Sequence, residues 1–131
     1  MSVAKVASAA LLGGIAGSAC RQFVILSIVA AGGSDVSGRM VVNVVGGFLA
    51  GVYLARREAA PQRLGPLEPL IAAGFLGGFT TVAGYSLDAV RAFDASAWLT
   101  LLAVIAVDGA IGLLAAAFGH RLARDRTSPG R

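Results

Sequence analysis

The sequence predicts an all-α membrane protein of four transmembrane helices, the third of them broken, and three observations support this. Of 131 residues, 56% are hydrophobic and 14% charged, with a mean hydropathy of +0.78. A soluble domain of this size would carry about 25% charged residues. Four apolar segments, residues 3–31, 37–55, 67–90 and 95–119, follow one another with short polar connections at 32–36, 56–66 and 91–94. Each is long enough to cross a hydrocarbon core of about 30 Å as a helix. Finally, the charge-free run 69–87 is interrupted at its centre by Gly74-Phe75-Leu76-Gly77-Gly78-Phe79-Thr80-Thr81, which is a poor helix.

In the first segment Lys5 precedes an apolar run with small residues, the pattern of a secretory signal, but the length of the run and its internal Arg21 argue against cleavage. Cys20, the single cysteine, lies in this segment, so no disulfide forms within the chain and nothing points to an oxidising compartment. The second segment holds one amide, Asn43. A buried amide needs partners: its NH2 group either donates to an anion that has shed water or fastens the bundle through an interhelical hydrogen bond. In the third segment the break matters because non-helical backbone at membrane depth is tolerated only inside protein or beside a polar cavity, where freed carbonyls can hold an ion. The fourth segment carries Asp108 near its centre. Arg21 and Asp108 are the charges deepest in the pattern; they line a wet vestibule or pair with each other, with snorkelling as the simpler account of Arg21.

Small residues four apart, Gly13 and Gly17, Gly47 and Gly51, Gly74 and Gly78, predict close helix packing and no particular activity. The expected organisation is one four-helix transmembrane domain, residues 1–119, with a basic, frayed cytoplasmic tail, 120–131.

The charges orient the chain. With four spans, both termini and the second connection share one side, which carries Lys5, Arg56, Arg57, Arg63, Arg121, Arg124, Arg126 and Arg131, eight of eleven basic residues. The other side has Arg39 and Arg91. That bias places both termini in the cytoplasm. Arginines beside a membrane exit read as topology determinants, so no nucleic acid is expected as a partner; membrane lipid is. An enzyme is not expected either, since His120, the only histidine, stands at a helix exit without a ligand cluster or nucleophile motif.

The set Gly13-Gly14-Ile15-Ala16-Gly17-Ser18-Ala19-Cys20-Arg21, Val42-Asn43-Val44-Val45-Gly46 and Gly74 to Thr81 resembles, in order and spacing, the Fluc (CrcB) fluoride channel family. The resemblance implies an antiparallel dimer of four-helix subunits in the bacterial inner membrane, through which fluoride leaves the cytoplasm passively. It implies that the backbone carbonyls of Gly77 and Thr80 contribute to a central sodium ion that is structural and not transported, and that only glycine suits position 77. It also places Asn43 beside the fluoride path. After Thr81 the family pattern reads Phe-Ser-Thr-Phe-Ser, two phenylalanines offering positive ring edges to the anion. Here the segment is Val82-Ala83-Gly84-Tyr85-Ser86, so Val82 removes one ring and Tyr85 keeps the other. Together with the fixed charge bias, this implies that the antiparallel partner is a different Fluc-type chain with the intact aromatic pair. Other readings are a homodimer, a non-conducting structural subunit, or a small multidrug transporter. The last would need a carboxylate in the first helix, which has none.

The charge bias generates a test. Reporter fusions at the C-terminus should give cytoplasmic signal alone; equal inside and outside signals would show dual topology and remove the case for a fixed orientation.

Overall fold

The structure is a computed structural model that describes residues 2–61, 65–80 and 98–127. Among them are three helices long and apolar enough to cross a membrane, α1 (Val3–Ala30), α2 (Asp35–Ala59) and α4 (Trp98–Thr127), and one shorter apolar helix, α3 (Pro69–Phe79). A single 3-10 turn, Gly65–Leu67, precedes α3. No strand occurs among the described residues.

The corner between α1 and α2 follows from local chemistry. Gly32 takes φ +88°, which glycine adopts without penalty. Its N–H then bonds the Val29 carbonyl at 3.0 Å and the Gly33 N–H bonds Ile28 at 2.9 Å, closing the end of α1 with the paired bonds of a Schellman cap. Ser34 opens α2: its Oγ accepts from the Ser37 N–H at 3.1 Å, while the Ser37 Oγ accepts from the Ser34 N–H at 3.0 Å. Such reciprocal caps contribute about 1 kcal/mol. Asp35, at the positive end of the α2 dipole, pairs with Arg39 one turn on.

Glycine contacts set the order of the helices. A Cβ at Gly74 would lie 2.6 Å from the Ala10 carbonyl oxygen, and one at Gly17 would overlap the Phe75 carbonyl, so α1 and α3 touch backbone to backbone. Going up α1 from Gly13 to Gly17, the neighbours on α3 advance from Leu70 to Phe79, so the two helices run parallel. On α2, Gly47 faces Gly112 and Gly51 faces Ala116 and His120 of α4, again parallel. Gly38 of α2 meets Ile25 of α1, so those two are antiparallel. All three predicted small-residue pairs are therefore packing faces. The parallel order also requires the chain to return across the bundle between Ala59 and Trp98. Lys5, Arg56, Arg57, Arg121 and Arg124 consequently share one end of the bundle.

The interior formed by the described residues is small. Ile25, Val42 and Phe79, from α1, α2 and α3, form its apolar centre, with Phe75 stacked on Phe79 at 5.8 Å between ring centroids. Large apolar side chains such as Leu12, Phe23, Leu99 and Leu114 point outward. That inverted distribution fits a chain whose outer surface meets lipid or a second subunit. At the basic end, Glu68 at the mouth of α3 is held to α2, accepting from Arg57 Nε at 2.9 Å and Tyr53 Oη at 3.3 Å.

Two observations concern helix ends. Helix α3 is π-helical over Pro69–Leu76, regains one α turn at Gly77–Phe79, and is followed by Thr80, whose backbone is extended (φ −73°, ψ 152°). The rest of the expected third segment, residues 81–90, lies outside the described residues. Helix α4 runs on to Thr127, through residues expected to fray. His120 Nε2 lies 2.9 Å from Glu58 Oε2 of α2, and Arg121 and Arg124 fall in its last turns, where basic side chains oppose the helix dipole.

If backbone contact sets the bundle, Gly51→Ala should be costly and Gly14→Ala cheap. A methyl at Gly51 would overlap the Ala116 carbonyl, whereas one at Gly14 meets its nearest neighbour at 4.0 Å. Thermal unfolding in detergent should show a loss of about 1–3 kcal/mol for Gly51→Ala and little change for Gly14→Ala. Equal stability of both variants would contradict the packing assigned here.

Candidate functional site

The contact between α2 and α4 joins two polar side chains in the apolar middle of the bundle. Asn43, Gly47 and Gly51 are spaced by four on α2; Asp108, Gly112 and Ala116 are spaced by four on α4. Residues so spaced share a helix face. Because Gly47 admits the Gly112 carbonyl and Gly51 admits that of Ala116, the facing backbones approach closely, and the polar residue one turn earlier on each helix is brought into register. Asn43 Nδ2 donates to Asp108 Oδ2 at 2.7 Å. Asp108 is 3% exposed, and its other oxygen, Oδ1, is buried without a hydrogen-bond partner among the described residues.

Beside this pair opens a cavity of about 530 Å³ lined by Asn43, Gly46, Thr80, Asp108 and Gly112 together with apolar side chains of α4. Thr80 arrives from the end of α3, over Gly46, where a Cβ would lie 2.5 Å from the Thr80 Cγ2 methyl. Its N–H (3.0 Å) and its Oγ1 (2.9 Å) both donate to the Leu76 carbonyl, so Thr80 caps the helix it terminates. The extended ψ turns its own carbonyl off the helix axis. Gly77 lies in the last turn of α3, where a helix leaves carbonyls without intrahelical donors and where its dipole is negative. Carbonyl oxygens at a negative helix end suit a hard cation. Gly77 itself has φ −64°, a value open to any residue, and among the described residues a Cβ there meets nothing nearer than 3.9 Å.

The structure thus brings together Asn43, Asp108 and Thr80, which the sequence suggested separately. Arg21 stays apart: it is half-buried on α1, and the carboxylate expected as its possible partner is bonded by Asn43 instead. Val82, Tyr85 and Ser86, the remaining residues expected on the ion path, lie outside the described residues. Sequence reasoning missed the pairing of Asn43 with Asp108. The signal was present, since each precedes a small-residue stripe by one turn. It also missed Glu68 as the anchor of α3, for which a lone carboxylate beside a proline gave no signal.

The family described as CrcB-like protein, Camphor Resistance (CrcB), matches residues 8–120. Among similar proteins, a fluoride-specific ion channel FluC of Ruegeria sp. (strain TM1040) is 33% identical over 115 residues, covering 86% of this chain and 90% of the relative. One from Photobacterium profundum is 31% identical over 113 residues, 85% and 88% of the two chains. One from Rhizobium etli is 41% identical over 87 residues, 63% and 67%. Since the match runs through all the described helices and most of each relative's length, the chain belongs to the CrcB family, a family of membrane channels and not of enzymes.

Proposed function

We propose that this chain is a subunit of a fluoride channel that lets fluoride leave the bacterial cytoplasm passively across the inner membrane, paired antiparallel with a different chain of the same family. The observation that carries the reading is that, in a CrcB-family chain, the Asn43 amide and the end of α3 meet on one cavity inside the helical bundle. The printed names of its relatives supply the ion. Four passes are supported by the parallel pairs α1/α3 and α2/α4, which oblige the chain to recross the bundle. Cytoplasmic termini are supported by the basic residues gathered at one end.

Along the path, an amide donor and aromatic edges replace part of the hydration of fluoride without binding it so tightly that it cannot leave. Asn43, Tyr85 and Ser86 are the groups this chain offers, while Val82 offers no ring edge. A partner with both phenylalanines completes the path. The outward apolar side chains of α1 and α4 are available to lipid and to that partner.

The carbonyls of Gly77 and Thr80 are assigned to a structural sodium ion. One chain supplies two of them, fewer than a hard cation takes, and the same pair from an antiparallel partner would bring the protein's share to four. When bound, the ion ties the ends of the two α3 helices together; it is not transported. A proton-coupled cation exporter is disfavoured, because α1 carries no carboxylate and the buried one is on α4.

Two measurements test this reading. Fluoride efflux from liposomes should be near background with the purified chain alone and robust when it is co-assembled with a family member bearing both phenylalanines. Strong fluoride-selective efflux from the chain alone would remove the heterodimer. For the sodium site, Gly77→Val should leave the subunit folded, because the described residues leave room there. Its crosslinked dimer fraction in sodium should drop to the level seen in N-methyl-D-glucamine. A dimer indifferent to both the substitution and the cation would refute the assignment.

A further inference from the structure

Two apolar grooves meet at Arg56, at the basic end of the bundle. The first lies between α2 and α3, a cavity of about 260 Å³ walled by Leu49, Val52, Ile71, Phe75 and Leu76. The second lies between α2 and α4, about 190 Å³, walled by Phe48, Val52, Leu122 and Ala123. Val52 and Arg56, four residues apart on one face of α2, line both. Neither groove shares a lining residue with the cavity beside Asn43, so an occupant here leaves that cavity open.

The charges at the rim leave one cation facing the grooves. Its carboxylate, Glu68, already accepts from Arg57 Nε at 2.9 Å and from Tyr53 Oη at 3.3 Å. Arg56 is exposed, and among the described residues no carboxylate pairs with it. A guanidinium stays charged whatever its surroundings, so this charge does not depend on protonation. Where a helix leaves the membrane, an arginine lays its stem on apolar surface and holds its head among the lipid headgroups. Leu49, at the other end of the first groove, lies about 10 Å along α2 from Arg56, at the depth of acyl chains.

We propose that Arg56 and the two grooves form a site for one anionic phospholipid, its phosphate on the guanidinium and its two acyl chains along the α2–α3 and α2–α4 grooves. The shape and the charge select this occupant together. A free phosphate would satisfy the arginine and leave both grooves unfilled, and a zwitterionic lipid would bring its own cation to the guanidinium. Basic pockets between membrane helices are a recurrent setting for anionic headgroups. Bound there, the lipid spans α2, α3 and α4 and braces α3 beside the Glu68 contact. The proposal needs only a membrane-embedded chain, so it stands apart from the channel reading.

The test uses the complex purified in detergent through a tag on this chain, so that any partner comes with it. The complex is stripped of lipid and titrated with phosphatidylglycerol or phosphatidylcholine, and bound lipid is counted by native mass spectrometry. The wild type should prefer phosphatidylglycerol. Arg56→Gln should weaken phosphatidylglycerol about five-fold and leave phosphatidylcholine unchanged. Arg121→Gln, which removes an arginine at the same end but outside both grooves, should change either lipid less than two-fold. Ile71→Trp keeps the charge but fills the α2–α3 groove, and it should weaken both lipids. Equal wild-type affinity for the two lipids would overturn the proposal. Equal losses in Arg56→Gln and Arg121→Gln would also overturn it, by showing diffuse attraction to a basic surface. So would undiminished lipid binding in an assembled Ile71→Trp complex, which would mean that protein covers the groove. If Ile71→Trp does not assemble, the comparison of Arg56→Gln with Arg121→Gln decides.

Discussion

Close backbone contact between helices is the constraint on which this structure depends. Inside a bilayer, apolar side chains gain little by leaving lipid for protein, so helix association relies on packing and on interhelical hydrogen bonds. Gly13, Gly17, Gly74 and Gly78 between α1 and α3, and Gly47, Gly51 and Gly119 between α2 and α4, remove the side chains that would hold the backbones apart. Each seam is parallel, and two parallel seams joined by the antiparallel corner at Gly32 and Gly33 fix the up-and-down order of the bundle. The capped corner and the Glu68 anchor on Arg57 and Tyr53 are local reinforcements of an arrangement that the glycines make possible.

The same closeness creates the polar centre. Asn43 and Asp108 are 65 residues apart in sequence and meet because each sits one turn before a glycine in the α2–α4 seam. A polar pair in hydrocarbon is costly to bury unless its groups bond each other, and here the Asn43 amide meets one oxygen of the buried Asp108 carboxyl, while the other oxygen has no partner among the described residues. At the other wall of the cavity, α3 ends where Thr80 folds its hydroxyl and N–H back onto Leu76, so the helix terminates through its own side chain and presents its negative end to the bundle centre.

The outer surface is the counterpart of this economy inside. Among the described residues only a few apolar side chains are buried, and most of the large apolar side chains of α1 and α4 are exposed. Among the described residues, the cavity beside Asn43 is walled by α2, α4 and the end of α3.

The sequence by itself determined the class, the long helices α1, α2 and α4, the three glycine stripes, the gathering of basic residues at one end and the family resemblance, because each depends on composition or on spacing along one helix. It also pointed to the end of α3, since Gly77, Gly78 and Thr80 are poor at sustaining a helix. Only the packing shows which buried polar groups meet. Asn43 read equally well as an anion donor or a fastener, and Asp108 as lining a vestibule or pairing with Arg21. That Asp108 meets Asn43 depends on the rotation of α4 against α2, which is set by the fit of Gly47 to Gly112 and of Gly51 to Ala116. It likewise showed that Gly77 has an ordinary helical φ with room around it among the described residues, so φ alone does not call for glycine there. Helix α4 outlasted its apolar stretch for a similar reason: hydropathy marks where a helix leaves the membrane, while the Glu58–His120 contact and the basic last turns decide where it stops.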